Sequence, residues 1–154
     1  MKRILFVFLF IASAVISKAQ NNAPDGQAIH MLKEFYTAYC TIPFIPKNIH
    51  KIDSLQTRYC TIKLRKELKG LYKETGLGHD VLTNDEGTDL EHLKTLKIIK
   101  DTSKANAYIV SYIDHTLSAA NKPIDKTVVI HVTVAKENGR FKIADAYGDA
   151  ISLR

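Results

Sequence analysis

Most of the short patterns that give an enzyme away are missing from this chain. Its six histidines and two cysteines form no HExxH, no histidine pair at i and i+4 and no CxxC, so a metal site has little support. There is no GxSxG and no phosphate-cradling glycine loop, which removes the usual grounds for a hydrolase or a nucleotide enzyme. No cofactor is implied. Beyond the first 19 residues no apolar run approaches the ~20 residues that a spanning helix needs. No internal repeat or low-complexity tract appears. An excess of positive charge is also largely absent. The 154 residues carry 22 Lys and Arg against 16 Asp and Glu, a formal +6. Three of those cations, Lys2, Arg3 and Lys18, fall in the first 19 residues, and without them 19 stand against 16, or +3. The remainder are scattered, so nucleic acid is not an expected partner.

What is present begins with a leader. Lys2 and Arg3 open it, Ile4 to Ile16 is apolar or small throughout, and Ser17-Lys18-Ala19 puts small residues where a signal peptidase reads. Residues 1–19 are therefore expected to be a signal peptide cleaved before Gln20. Residues 20–154 are expected to form a single exported domain, periplasmic or secreted, with no membrane span left. No cysteine follows the cleavage site, so a bacterial lipid anchor is not expected.

The first half of that domain reads as helix. Asn21 to Gly26 is a polar tail with a helix start. Leu32, Phe35, Tyr36 and Tyr39 then fall at i, i+3, i+4 and i+7, one apolar face. Pro43 and Pro46 end this helix. Asn48 is placed to cap a second, with Ile52, Leu55 and Tyr59 on its face. Thr61 is placed to cap a third over Ile62 to Thr75, with Leu64, Leu68 and Leu71 inward and Gly76 and Gly78 as its stop. Cys40 and Cys60 end the first two helices. In an exported chain they are either a disulfide or two buried free thiols, and the spacing does not decide between these.

Gly78 to Glu91 is rich in acids and reads as a solvated loop. A calcium loop is disfavoured, because counting from Asp80 puts Leu82 at a ligand position. Leu93 to Ile99 reads as a strand. Ala105 to Leu117 reads as a long one with Tyr108, Val110 and Tyr112 on one face and Ile109 and Ile113 on the other. Two β-branched runs then flank Asn138-Gly139, the pair of residues that a tight hairpin turn favours. Counting outward from that turn pairs Glu137 with Arg140, Val134 with Ile143, Val132 with Asp145 and Ile130 with Tyr147. This register puts a carboxylate, Asp145, on an otherwise apolar face, a local inconsistency of the kind that marks functional sites. Helices followed by an antiparallel meander make an α+β architecture.

The segments LKEFYTAYC, RYCTIKLRKEL and the closing NGRFKIADAYG, in this order of elements, resemble the nuclear transport factor 2-like superfamily, the cystatin-like cone. In particular the chain is similar to small exported domains of unknown function from Bacteroidetes, over Gln27 to Gly148. The resemblance implies N-terminal helices packed on a curved antiparallel sheet, with a conical pocket between helix and sheet. Some members of the superfamily catalyse isomerisation or dehydration in that pocket, and many only bind. The expected function is accordingly a non-enzymatic binding module for a small ligand, a peptide or a partner protein, with a homodimer left open. Tyr36, Tyr39, Tyr112, Asp145 and Tyr147 are the expected lining. The alternative is a small lyase or isomerase with Asp145 as general base and the hydroxyl of Tyr147 or Tyr36 stabilising an oxyanion.

Overall fold

The computed structural model describes residues 24–43, 45–75, 79–84, 90–117 and 121–148. The expected signal peptide and its cleavage site lie outside the described residues, as do Gly76 and Gly78.

Helix α1, Pro24–Tyr39, begins with a proline whose missing N–H costs nothing in a first turn, and with Asp25 at the positive end of the helix dipole. It buries Ala28, Met31, Leu32, Phe35, Tyr36 and Tyr39, the face that the sequence spacing predicts. A single 3₁₀ turn, Pro46–Asn48, leads into α2, Ile49–Tyr59. Asn48 occupies the N-cap position of α2 but does not cap it. Its amide donates instead to the Pro43 carbonyl at 3.0 Å, which ties the proline linker together. Helix α3, Ile62–Thr75, is capped as expected: Thr61 Oγ1 accepts the Leu64 N–H at 3.3 Å. Such a cap contributes about 1 kcal/mol.

The acidic stretch departs from the sequence reading. Leu90–Thr95 is a short helix, α4, and strand β1 is only Lys97–Lys100. Leu93 thus approaches the core from a helix, and a Glu91–Lys94 pair at 2.6 Å spans one turn of it. Ahead of α4, Asp80, Leu82, Thr83 and Asn84 are buried rather than solvated.

Strands β2, Ala107–Leu117, β3, Pro123–Glu137, and β4, Arg140–Gly148, complete one antiparallel sheet in the order β1-β2-β3-β4. It is curved and unclosed, and with the helices it makes an α+β fold. Tyr108, Val110, Tyr112, Val128, Ile130, Val132, Val134 and Ile143 are buried on its inner face, against α1, α2 and α3. Fully burying an aliphatic or aromatic side chain of this size contributes about 1.5–3 kcal/mol, so this layer dominates the favourable side of folding.

The hairpin turn is as the sequence predicts, with Asn138 and Gly139 both at positive φ, 52° and 76°. Glu137 faces Arg140 and Val134 faces Ile143, again as expected. The register then slips. A bulge between Thr133 and Val134 leaves Ala144 as an extra residue on β4. Beyond it Thr133 pairs with Asp145, Val132 with Ala146 and His131 with Tyr147. Asp145 is therefore exposed and Ala146 is buried, the reverse of the expected facing. A methyl group fits the layer beside Val132 where a carboxylate would need a partner.

The hairpin also holds the helices in place. The Thr61 N–H donates to the Ile143 carbonyl at 2.9 Å, so the α2–α3 junction docks on the free edge of β4. Lys142 reaches the carbonyls of Thr57 and Cys60 at 3.1 and 3.3 Å, where a cation suits the end of α2. Glu137 accepts the Ile62 N–H at 3.1 Å, where a carboxylate suits the start of α3.

Candidate functional site

A polar cluster interrupts the interior between helices and sheet, and at its centre is Asp80. Its side chain is 0 % exposed. Oδ1 accepts the Tyr72 hydroxyl and the Leu82 N–H, each at 3.0 Å, while Oδ2 makes no hydrogen bond. Burial raises its pKa above the usual carboxylate range, against the opposing pull of the Leu82 N–H, the Tyr39 and Tyr72 hydroxyls and His79. Gln56 of α2 completes the cluster by donating from Nε2 to the oxygens of Tyr39 and Tyr72 at 3.2 and 3.3 Å. Four elements of the chain thus converge: α1 with Tyr39, α2 with Gln56, α3 with Tyr72, and the segment that carries Asp80.

Three of the expected pocket residues line this interior, and they fill it. Tyr36, Tyr39 and Tyr112 are all buried. Tyr112 donates its hydroxyl to the Thr83 carbonyl at 2.7 Å and stacks on His92 with ring centres 4.3 Å apart. The Tyr36 hydroxyl is buried and makes no hydrogen bond. Burial, with Asp80 nearby, pushes the phenols of Tyr36, Tyr39 and Tyr72 well above their ordinary range. Cys40 and Cys60 are free thiols buried in the same core, each pushed up to about 12 by burial and then by Asp80. Thiols held in the protonated form are poor nucleophiles and poor metal ligands.

The other two expected residues lie elsewhere. Tyr147 is 46 % exposed and stacks on His131 with ring centres 4.9 Å apart, on the outer face of the sheet. Asp145, on that same face after the bulge, does not line the interior. Asp80, in the stretch whose composition predicts a solvated loop, is instead the carboxylate that points inward. The apolar pair Val81-Leu82 directly after it, inside an otherwise acidic stretch, is the signal that the sequence offers.

The polar cluster is sealed, but two of its members reach a cavity. Ile49, His50, Asp53 and Gln56 of α2 and Lys69 and Tyr72 of α3 line a pocket of about 380 Å³. Asp53 and Lys69 pair across it at 3.2 Å. Its inner wall is formed by Gln56 and Tyr72, whose polar atoms are fixed from behind by Tyr39 and Asp80. This is a mostly apolar pocket with a few placed polar groups, the usual constitution of a small-molecule site. Among the described residues no group of three or more His, Cys, Asp or Glu converges as a metal site. Among them, too, no helix is long and apolar enough to cross a membrane.

No known protein family matches the sequence, and no curated protein does. A crystal structure of a protein of unknown function from Bacteroides thetaiotaomicron VPI-5482 has a similar fold. It is 24 % identical, with a TM-score of 0.64 over 88 % of this chain and 98 % of that one. That likeness covers the fold alone.

Proposed function

We propose that this chain is an exported, non-enzymatic binding module of the nuclear transport factor 2-like kind. Its ligand is a small, mostly apolar molecule with one hydrogen-bonding group, held in the α2–α3 pocket. The observation that carries this reading is the double role of Gln56 and Tyr72. Both line the pocket, and both are hydrogen-bonded into the buried cluster around Asp80. Polar groups fixed before binding cost less to order when a ligand arrives. The α2–α3 pocket replaces the expected helix–sheet pocket, whose place is taken by tyrosines. A lyase or isomerase built on Asp145 finds no support in this geometry, because that carboxylate is exposed on the outer face of the sheet.

Native mass spectrometry of protein purified from the cell envelope of its own host tests this. A retained organic ligand is expected, and it should be lost in Ile49→Asp, a change at an exposed rim position that leaves the melting temperature near that of the wild type. Protein without any added mass, together with no change on Ile49→Asp in binding of an apolar fluorescent probe, would overturn the reading.

A further inference from the structure

The turn of the β3–β4 hairpin faces the helices and leaves a second cleft, about 280 Å³ in volume. Its walls include Met31 and Glu34 of α1, Arg58 and Tyr59 at the end of α2, and Arg140 and Phe141 at the start of β4. It shares no residue with the α2–α3 pocket and stands independently of it.

Two arginines, Arg58 and Arg140, give this cleft its charge. Several lysines outside the cleft are paired with acids: Lys63 with Glu67, Lys69 with Asp53, Lys94 with Glu91, Lys100 with Asp25 and Lys142 with Glu137. Among the described residues neither Arg58 nor Arg140 has a carboxylate partner. Glu34 is the one acid in the wall, and it is turned to His30 at 3.9 Å. The Arg58 guanidinium lies over the Tyr59 ring, 5.1 Å from its centre. Stacking uses the face of a guanidinium and leaves the N–H donors at its edge available. The Phe141 ring that lines the cleft carries the Lys136 ammonium 4.8 Å from its centre.

We infer that this cleft binds a small organic acid. Its carboxylate lies between Arg58 and Arg140, and its aromatic or aliphatic body lies against Met31, Tyr59 and Phe141. Arginine donates two parallel hydrogen bonds to a carboxylate, which favours a planar anion over a bare charge. Two guanidiniums against Glu34 leave the cleft net positive. The volume sits at the low end for ligand pockets, which suits a body of one ring or a short chain.

Phenylpropionate, its neutral amide and inorganic phosphate, titrated into ¹⁵N-labelled protein by NMR, separate the possibilities. Phenylpropionate is expected to move the side-chain Nε–H signals of Arg58 and Arg140, with the amide at least about tenfold weaker. Arg58→Gln and Arg140→Gln, at exposed positions, should each weaken the acid about tenfold without shifting the melting temperature. The inference is overturned if acid and amide bind alike, if phosphate binds as tightly as phenylpropionate, or if neither arginine signal moves in the millimolar range. The comparison of acid with amide uses the unaltered chain, so it stands even if a variant misfolds.

Discussion

Tyr72 donates a hydrogen bond from its hydroxyl to Asp80 Oδ1 at 3.0 Å, linking a wall of the α2–α3 pocket to a carboxyl with no exposure to solvent. Tyr72→Phe removes this donor and leaves the Leu82 N–H as the hydrogen bond to Oδ1. The loss is expected to be about 1–3 kcal/mol, the penalty for stranding a buried polar group. Urea denaturation measures it, and a change indistinguishable from zero would mean that the hydrogen bond contributes nothing net.

The raised pKa of Asp80 sets the sign of a pH dependence. The folded chain holds this proton more tightly than the unfolded chain, whose carboxyl titrates near about 3.9. Its stabilising contribution is complete below that value and is lost as pH rises through the higher folded pKa. Asp80→Asn cannot titrate. Its stability relative to wild type is therefore expected to improve as pH is raised from about 4. Denaturant midpoints measured across that range would expose an Asp80 that is ionised throughout, because the difference would then stay flat.

Tyr36 invites the opposite kind of change. Its hydroxyl is buried without a hydrogen bond. Tyr36→Phe deletes an unsatisfied polar group and keeps the ring, which packs edge-on to Phe35 at 5.0 Å. The variant should be neutral or more stable by up to about 1–2 kcal/mol. Destabilisation beyond about 1 kcal/mol would place a hydrogen-bond partner on that hydroxyl.

Both thiols are buried and protonated, so neither should react with a disulfide reagent in the folded chain at mildly alkaline pH. In denaturant without reductant both should react. Mature protein that yields no thiol even when unfolded would contain the Cys40–Cys60 bridge instead.

Much of the framework is legible in the sequence because it repeats locally. Leu32, Phe35, Tyr36 and Tyr39 announce their helix by spacing alone, and Asn138-Gly139 announces its turn by the positive φ that both residues tolerate. Asp145 and Asp80 were misplaced for a different reason: the facing of each is decided by distant parts of the chain. Nothing local distinguishes Ala144 as a bulge, since the small residues around Asp145 fit either register. Asp80 sits among acids that look solvated, and the Leu82 N–H together with Tyr72 and Tyr39, from two distant helices, makes its burial tolerable. Arg58 and Arg140 lie far apart in sequence and meet only through the hairpin, so neither carried a signal of its own.

The bulge at Ala144 divides the hairpin into two halves with separate phase. From the turn to Ile143, facing is counted from Asn138-Gly139; from Asp145 to Gly148 it is counted from β3. Loss of Ala144 alone would merge the halves into one regular alternation with both facings kept, Asp145 opposite Thr133 and Ala146 opposite Val132. Pairing Ala144 with Thr133 instead, with no change of length, would turn Asp145 toward the Val132 layer and take Tyr147 from His131 to the layer of Ile130. The outer face of β4 thus depends on Ala144 being held out of the ladder, and any splice or graft of this hairpin must either keep the bulge or omit Ala144 to keep that face outward.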